Sequence, residues 1–182
     1  MSDTIKMRGW AEWVLRDAKG NVKPLWQENR LGKWLRQTFG WSLKDLRLLG
    51  QWTPCLKLPN SITTLGHAMA NGRMSNQGSY GVCTALALGT GSGGSTSLNS
   101  EITTGGGARV TAGTISQVTT TNANDTTSLV NTWTFSGGFA ITEEGIFDST
   151  TISGSHMLAY QSFSAINVVS TDQLTVTHKY QT

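Results

Sequence analysis

Glu143 and Glu144 are adjacent carboxylates, the residue type that general acid/base chemistry uses in pairs. On a strand, consecutive side chains point to opposite faces, so the two cannot confront one another across a substrate. One of them is instead placed to accept backbone hydrogen bonds at the turn before Gly145. Gly89-Thr-Gly-Ser-Gly-Gly94 fits the G-x-G-x-x-G spacing of a dinucleotide loop. That chemistry needs a helix N-terminus directly after the glycines, and Ser-Thr-Ser-Leu-Asn-Ser has no helical periodicity, so a plain loop is expected. Gly105-Gly-Gly107 is read the same way. His67, His156 and His178 lie far apart, without a second ligand at i+2 or i+4, so no zinc spacing is present. No Ser lies in a G-x-S-x-G elbow, and neither Cys55 nor Cys83 has a nearby His to activate it. The expectation is therefore a protein that is not an enzyme, with no cofactor and no metal.

A different chemistry is offered by the first third of the chain. Residues 1–57 hold 11 Lys/Arg against 5 Asp/Glu, net +6, whereas residues 58–182 hold 3 against 6, net −3. Six of the seven Trp and all three Pro also precede residue 60. Cations interleaved with aromatic rings can grip single-stranded nucleic acid, but the charge is mild for that role. Docking on a protein, with Trp as anchors and Arg at the rim, suits the pattern better, and a second small packed unit suits it equally; for docking, Trp10, Trp13, Trp26, Arg30 and Trp34 are the candidate partner-binding residues. The change of composition divides the chain into a basic Trp-rich arm (1–57), a connector (58–78) and a β domain (79–182).

The elements that must position these residues follow from local pattern. Trp10–Arg16 and Val22–Gln27 are predicted strands of a hairpin whose turn, Asp17–Asn21, lets Gly20 or Asn21 take positive φ. Pro24 cannot donate to a ladder and predicts an edge strand. Leu31, Trp34, Leu35, Thr38 and Phe39 recur at helical spacing, with Asn29 as N-cap and Gly40 as C-cap. Ser42-Leu-Lys-Asp45 resembles a capping box and predicts a second short helix through Leu49, stopped by Gly50. Residues 51–78, rich in Pro, Asn and Gly, are expected to be mostly irregular. Beyond them, Tyr80–Leu88 predicts a buried strand. Leu129, Trp133 and Phe135 share one strand face, and Phe139–Ile141, Met157–Phe163 and Leu174–Tyr180 continue the series, separated by Gly, Ser, Asn and Asp turns. The predicted fold is mainly β: an antiparallel β-sandwich, Ig-like or jelly-roll-like, with an N-terminal hairpin and two short helices. Only 14% of the chain is charged, and no apolar run approaches the ~18 residues of a membrane helix. The first residues carry no secretory signal, and two cysteines make no disulfide framework, which fits free thiols in a reducing cell.

One ordered set of motifs spans roughly residues 80–180: Ala85-Leu-Ala-Leu-Gly-Thr-Gly91, Glu101, Ala108-Arg-Val110, Ile141-Thr-Glu-Glu-Gly-Ile-Phe-Asp148, Met157-Leu-Ala-Tyr160, Phe163-Ser-Ala-Ile-Asn-Val168 and Leu174-Thr-Val-Thr177. It resembles a family of tailed-bacteriophage virion proteins described variously as tail, fibre or virion structural proteins. Tyr160 stands where that pattern has Arg, and His178 where it often has Trp. The resemblance implies membership of a virion assembled in bacterial cytoplasm more firmly than a location in it; the change of composition near residue 58 then makes the chain foremost a non-enzymatic head decoration or cement protein. It would bind the major capsid protein through its N-terminal part and form a homo-oligomer, with no role for a membrane or nucleic acid. A neck, tail or fibre component is the first alternative, and a carbohydrate-binding host-recognition module the second.

Overall fold

The computed structural model describes residues 7–41 and 43–181. Along the chain the elements are β1 (Arg8–Arg16), β2 (Val22–Lys23), β3 (Leu25–Glu28), α1 (Arg30–Phe39), β4 (Gly50–Thr53), β5 (Leu56–Ile62), α2 (Thr64–Ser75), β6 (Ala85–Gly89), β7 (Val110–Thr111), β8 (Thr114–Val118), β9 (Thr126–Thr134), β10 (Phe139–Phe147), β11 (Met157–Val168) and β12 (Gln173–Gln181). The fold is mainly β and antiparallel. Nine strands follow one another in a single hydrogen-bonded order, β7-β6-β10-β11-β5-β1-β12-β9-β8, with β2 paired to β1 beside that path.

Alternation decides which faces meet. In β1 the odd-numbered residues Ala11, Trp13 and Leu15 are buried, and in β12 Leu174, Val176 and His178 are. These residues share one core with Leu86 and Leu88 of β6, Ile141 and Ile146 of β10 and Phe163 of β11. The Trp13 and Phe163 rings lie 4.7 Å apart, although β1 and β11 are separated in the strand order by β5. The sheet therefore curls over its own apolar face. Its two ends are strands of two and five residues, and the latter, Thr-Ile-Ser-Gln-Val, is mostly exposed. Short polar edges of this kind discourage pairing with another chain.

The hairpin forms as predicted. Asp17 N–H donates to Asn21 O and Gly20 N–H to Asp17 O, each at 2.9 Å, while Gly20 takes φ +83°. Its second arm, however, is two strands rather than one. Pro24 interrupts it: Val22–Lys23 pair with β1, and Leu25–Glu28 leave to pair with β4 in a separate ribbon.

Two further expectations are corrected. The second short helix does not form; residues 44–49 make turns, with Asp45 at φ +73°, a conformation incompatible with helix continuation. Its proposed cap, Ser42, lies outside the described residues. Nor is the segment 51–78 irregular. Leu56–Ile62 is a strand of the main sheet, joining β1 to β11, and it tolerates Pro59 opposite Trp10. Thr63 then caps α2 by accepting from Gly66 N–H at 2.8 Å. The compositional boundary at 57/58 thus falls inside β5.

β1 pairs with β12 from Arg8↔Gln181 to Arg16↔Gln173, and with β5 from Gly9↔Asn60 to Trp13↔Leu56. A chain beginning at residue 79 lacks both β1 and β5, the strands through which the two ends of the sheet connect. It is expected to show no cooperative thermal transition by circular dichroism. A sharp transition would mean that residues 79–182 fold alone.

Candidate functional site

Between β2 and β5 the chain leaves the main sheet and builds a knob from the β3–β4 ribbon, α1 and the turns at 44–49. Asn29 is its pivot. Its Oδ1 accepts from Gly32 N–H at 3.0 Å, capping α1, while its Nδ2 donates to Leu48 O at 2.6 Å and its N–H to Leu49 O at 2.9 Å. At the other end Gly40, at φ +71°, donates to Arg36 O. The helix meets the rest of the knob along Gly32 and Arg36. A Cβ at residue 32 would stand 2.3 Å from Leu49 O, and Arg36 Nε donates to Glu28 Oε2 at 2.8 Å.

That contact line is not the apolar stripe. Leu31, Trp34 and Phe39 point outward instead, with Trp34 52% and Phe39 53% exposed. The following turns and β4 add Trp41 (56% exposed), Leu43, Leu46, Leu48 (75%) and Trp52. The rings are in contact: Trp34 and Phe39 lie edge to face with centres 5.5 Å apart, and Phe39 and Trp41 are tilted by 34° with centres 5.3 Å apart. Exposed patches of this density mark interaction surfaces. Arg30, Lys33 and Arg47 on the same knob are exposed. The base is fixed to the main sheet by buried Leu25 and Trp26 and by Lys44, whose Nζ donates to Ala165 O of β11 at 2.8 Å. Burial lowers the Lys44 pKa, and the nearby Glu28 and Asp45 charges offset this only in part.

The five residues expected to bind a partner are thus divided. Arg30 and Trp34 lie on the exposed knob. Trp26 is in its base, 6% exposed, with its ring 5.5 Å from Trp52. Trp13 is fully buried in the core of the sheet and cannot be an anchor. Trp10 is half-buried on β1, opposite Pro59. The composition gave no reason to prefer Phe39, Trp41, Leu43, Leu46, Leu48 and Trp52, yet they dominate the surface. Their signal was the density of large apolar residues among Lys and Arg between 31 and 52.

The groups that could do chemistry are held elsewhere, and inside. Glu143 and Glu144 do point to opposite faces, and both are completely buried. Glu143 Oε1 accepts from Ser100 N–H at 2.8 Å and Gly91 N–H at 3.2 Å, and Oε2 from the Tyr160 hydroxyl at 3.1 Å. The Gly89–Gly94 segment is accordingly a loop folded around a carboxylate; a Cβ at Gly89 would come within 2.5 Å of Glu143 Oε1. Glu144, on the core side, accepts from His178 Nδ1 at 2.8 and 3.0 Å. Asn60 Nδ2 donates to Nε2 of the same ring. Tyr160 and His178 are therefore the side chains that hydrogen-bond the paired glutamates, one to each.

Other motif residues converge as well. Arg109, 8% exposed, makes a two-pronged pair with Glu101 at 2.9 and 2.6 Å, donates to Ser149 O and Ser155 Oγ, and stacks its guanidinium 3.6 Å from the Phe147 ring centre. Asp148 accepts from the His156 backbone N–H and ring at 2.7 Å each, and from Gly81 N–H at 3.0 Å. Burial alone would raise this carboxyl, but the donors from His156 and Gly81 outweigh it and hold its pKa below the usual value. The Cys83 thiol, which lines an apolar groove of about 720 Å³ beneath α2, is pushed up to about 12 by burial. It is not a thiolate near neutral pH. Among the described residues no three His, Cys, Asp or Glu side chains gather where one metal ion could be held. No protein-family model, curated protein or solved structure matches the chain.

Two outcomes check this division between buried and exposed groups. In denaturant unfolding, Trp13→Ala should cost about 3–5 kcal/mol, while Trp34→Ser stays within about 0.5 kcal/mol of the parent, as surface changes do. With its folded pKa lowered, Asp148 adds stability above its unfolded pKa of about 4, and that contribution is lost as pH falls through the folded value. The difference in melting temperature between the parent and Asp148→Asn should therefore be largest at neutral pH and narrow below about pH 4.

Proposed function

We propose that this chain is a non-enzymatic structural component of a tailed-phage particle, docked by its knob onto the capsid shell as a head decoration or cement protein. In this reading the two ends of the curled sheet stack as a β-sandwich, and the knob is its attachment device. The observation that carries it is the outward-facing apolar stripe of α1 and the turns after it. A surface of Trp34, Phe39, Trp41, Leu46 and Leu48 is costly to leave in water and is typical of the anchors that dominate protein interfaces. The low charge of the chain and the inward use of its titratable groups support a packing role over catalysis. The motif resemblance supplies the particle: Glu101, Arg109, Phe147 and Asp148, which carry part of it, brace loops of the β region, as residues shared for architecture would.

The copy number of the chain per purified particle, by quantitative mass spectrometry against the major capsid protein, tests the assignment. A ratio from one per shell subunit to one per few is expected. A few per hundred would move the protein to the neck, tail or fibres, and absence would overturn the virion reading. The double variant Trp34→Ser/Trp41→Ser should fold normally and lose particle binding in co-sedimentation.

A further inference from the structure

The knob carries cations as well as rings, and among the described residues no carboxylate is paired with Arg30, Lys33 or Arg47. Of the 11 Asp and Glu, only Asp3 lies outside the described residues. Every other carboxylate is bonded within the chain. Glu12 pairs with Lys57, Glu28 with Arg36, Glu101 with Arg109 and Asp172 with Lys23. Asp17 and Asp125 hold backbone N–H groups of their own turns, and Asp45 accepts from Trp52 Nε1 at 2.6 Å. Glu143, Glu144 and Asp148 are engaged as described above. By contrast Arg30, Lys33 and Arg47 stand exposed beside the apolar surface.

Resting on the docking assignment above, we infer that the knob's partner is a protein surface with an apolar socket rimmed by carboxylates, and not a second copy of this chain. Face to face, two knobs would set Arg30, Lys33 and Arg47 of each against a single exposed carboxylate of the other, Asp45, so like charges predominate, and like charges across an interface are penalised. The apolar groove beneath α2 of a second copy is lined by Arg73 and by no carboxylate. An acidic rim on a different protein removes the repulsion and directs the approach, while Trp34, Phe39 and Trp41 fill the socket. A lipid surface fits less well: Asp45 sits exposed between Leu43 and Leu46, and a carboxylate at that position would have to enter the hydrocarbon with them.

The test uses the full chain, particles lacking it, and vesicles of phosphatidylcholine with phosphatidylglycerol. On particles, the association rate is expected to fall about tenfold or more between low salt and roughly half-molar salt, as steered association does. The variant R30E/K33E/R47E, shown to be folded by its thermal transition, should associate at least tenfold more slowly at low salt and lose that dependence. W34S/W41S should weaken binding at every salt concentration. Particle binding that is insensitive to salt and to the charge reversal overturns the acidic rim while leaving the docking assignment intact. Failure of the parent to bind particles overturns both, and capture by the vesicles in its place assigns the knob to a membrane. A concentration-dependent dimer that W34S/W41S abolishes overturns the exclusion of a second copy.

Discussion

β1 is paired along both of its edges, with β12 on one and with β5 and then β2 on the other, and the rest of the molecule is arranged around that fact. Its backbone is paired with β12 along nine residues and with β5 along five, while Ala11, Trp13 and Leu15 fill the core beneath it. A strand in the middle of a sheet must be apolar on at least one face and must leave no ladder group unpaired. β1 meets both conditions because β12 arrives on one side and β5, followed by β2, on the other. β5 in turn hands the sheet on to β11, so the residues richest in positive charge and the residues richest in Ser and Thr share one core.

The same economy governs charge. A protein with few ionisable groups has used almost all of its carboxylates as internal fasteners: on a Gly-rich loop, on a buried imidazole, on a stacked guanidinium, and on turn amides. Each is satisfied by donors that water would otherwise supply, which is what makes complete burial of Glu143 and Glu144 tolerable. The cost falls on the surface, where cations outnumber free anions and the knob is left basic.

What the sequence disclosed depended on range. The Asp17–Asn21 turn and the capping of α1 by Asn29 and Gly40 are written in residues a few positions apart, and they formed as read. β5 was missed because Pro59 and Asn60 look like loop chemistry. Only the arrival of β1 on one side and β11 on the other makes them a strand. The second helix failed because a capping pattern with Leu at intervals cannot reveal that Asp45 adopts positive φ and bonds Trp52. The apolar stripe of α1 has the period read from the sequence, but periodicity identifies a face and not what it meets: Gly32, by admitting Leu49 O so closely, decides that another face makes the contact. For the site, Trp13 and Trp34 were indistinguishable by type. One lies at a core position of a strand and the other on a helix turned outward, a difference set by tertiary packing.

Pairing the first strand with the last has a consequence for how the chain is made. The β1–β12 ladder cannot form until residues 173–181 have left the ribosome, so this side of the sheet closes late and over a long sequence separation. Such non-local closure is slow and leaves strand edges and apolar surface open in the interim. The knob, whose own contacts are mostly local but whose base rests on β11, gains its platform only as that closure nears. A chain that stops before β12 therefore offers the knob no completed platform.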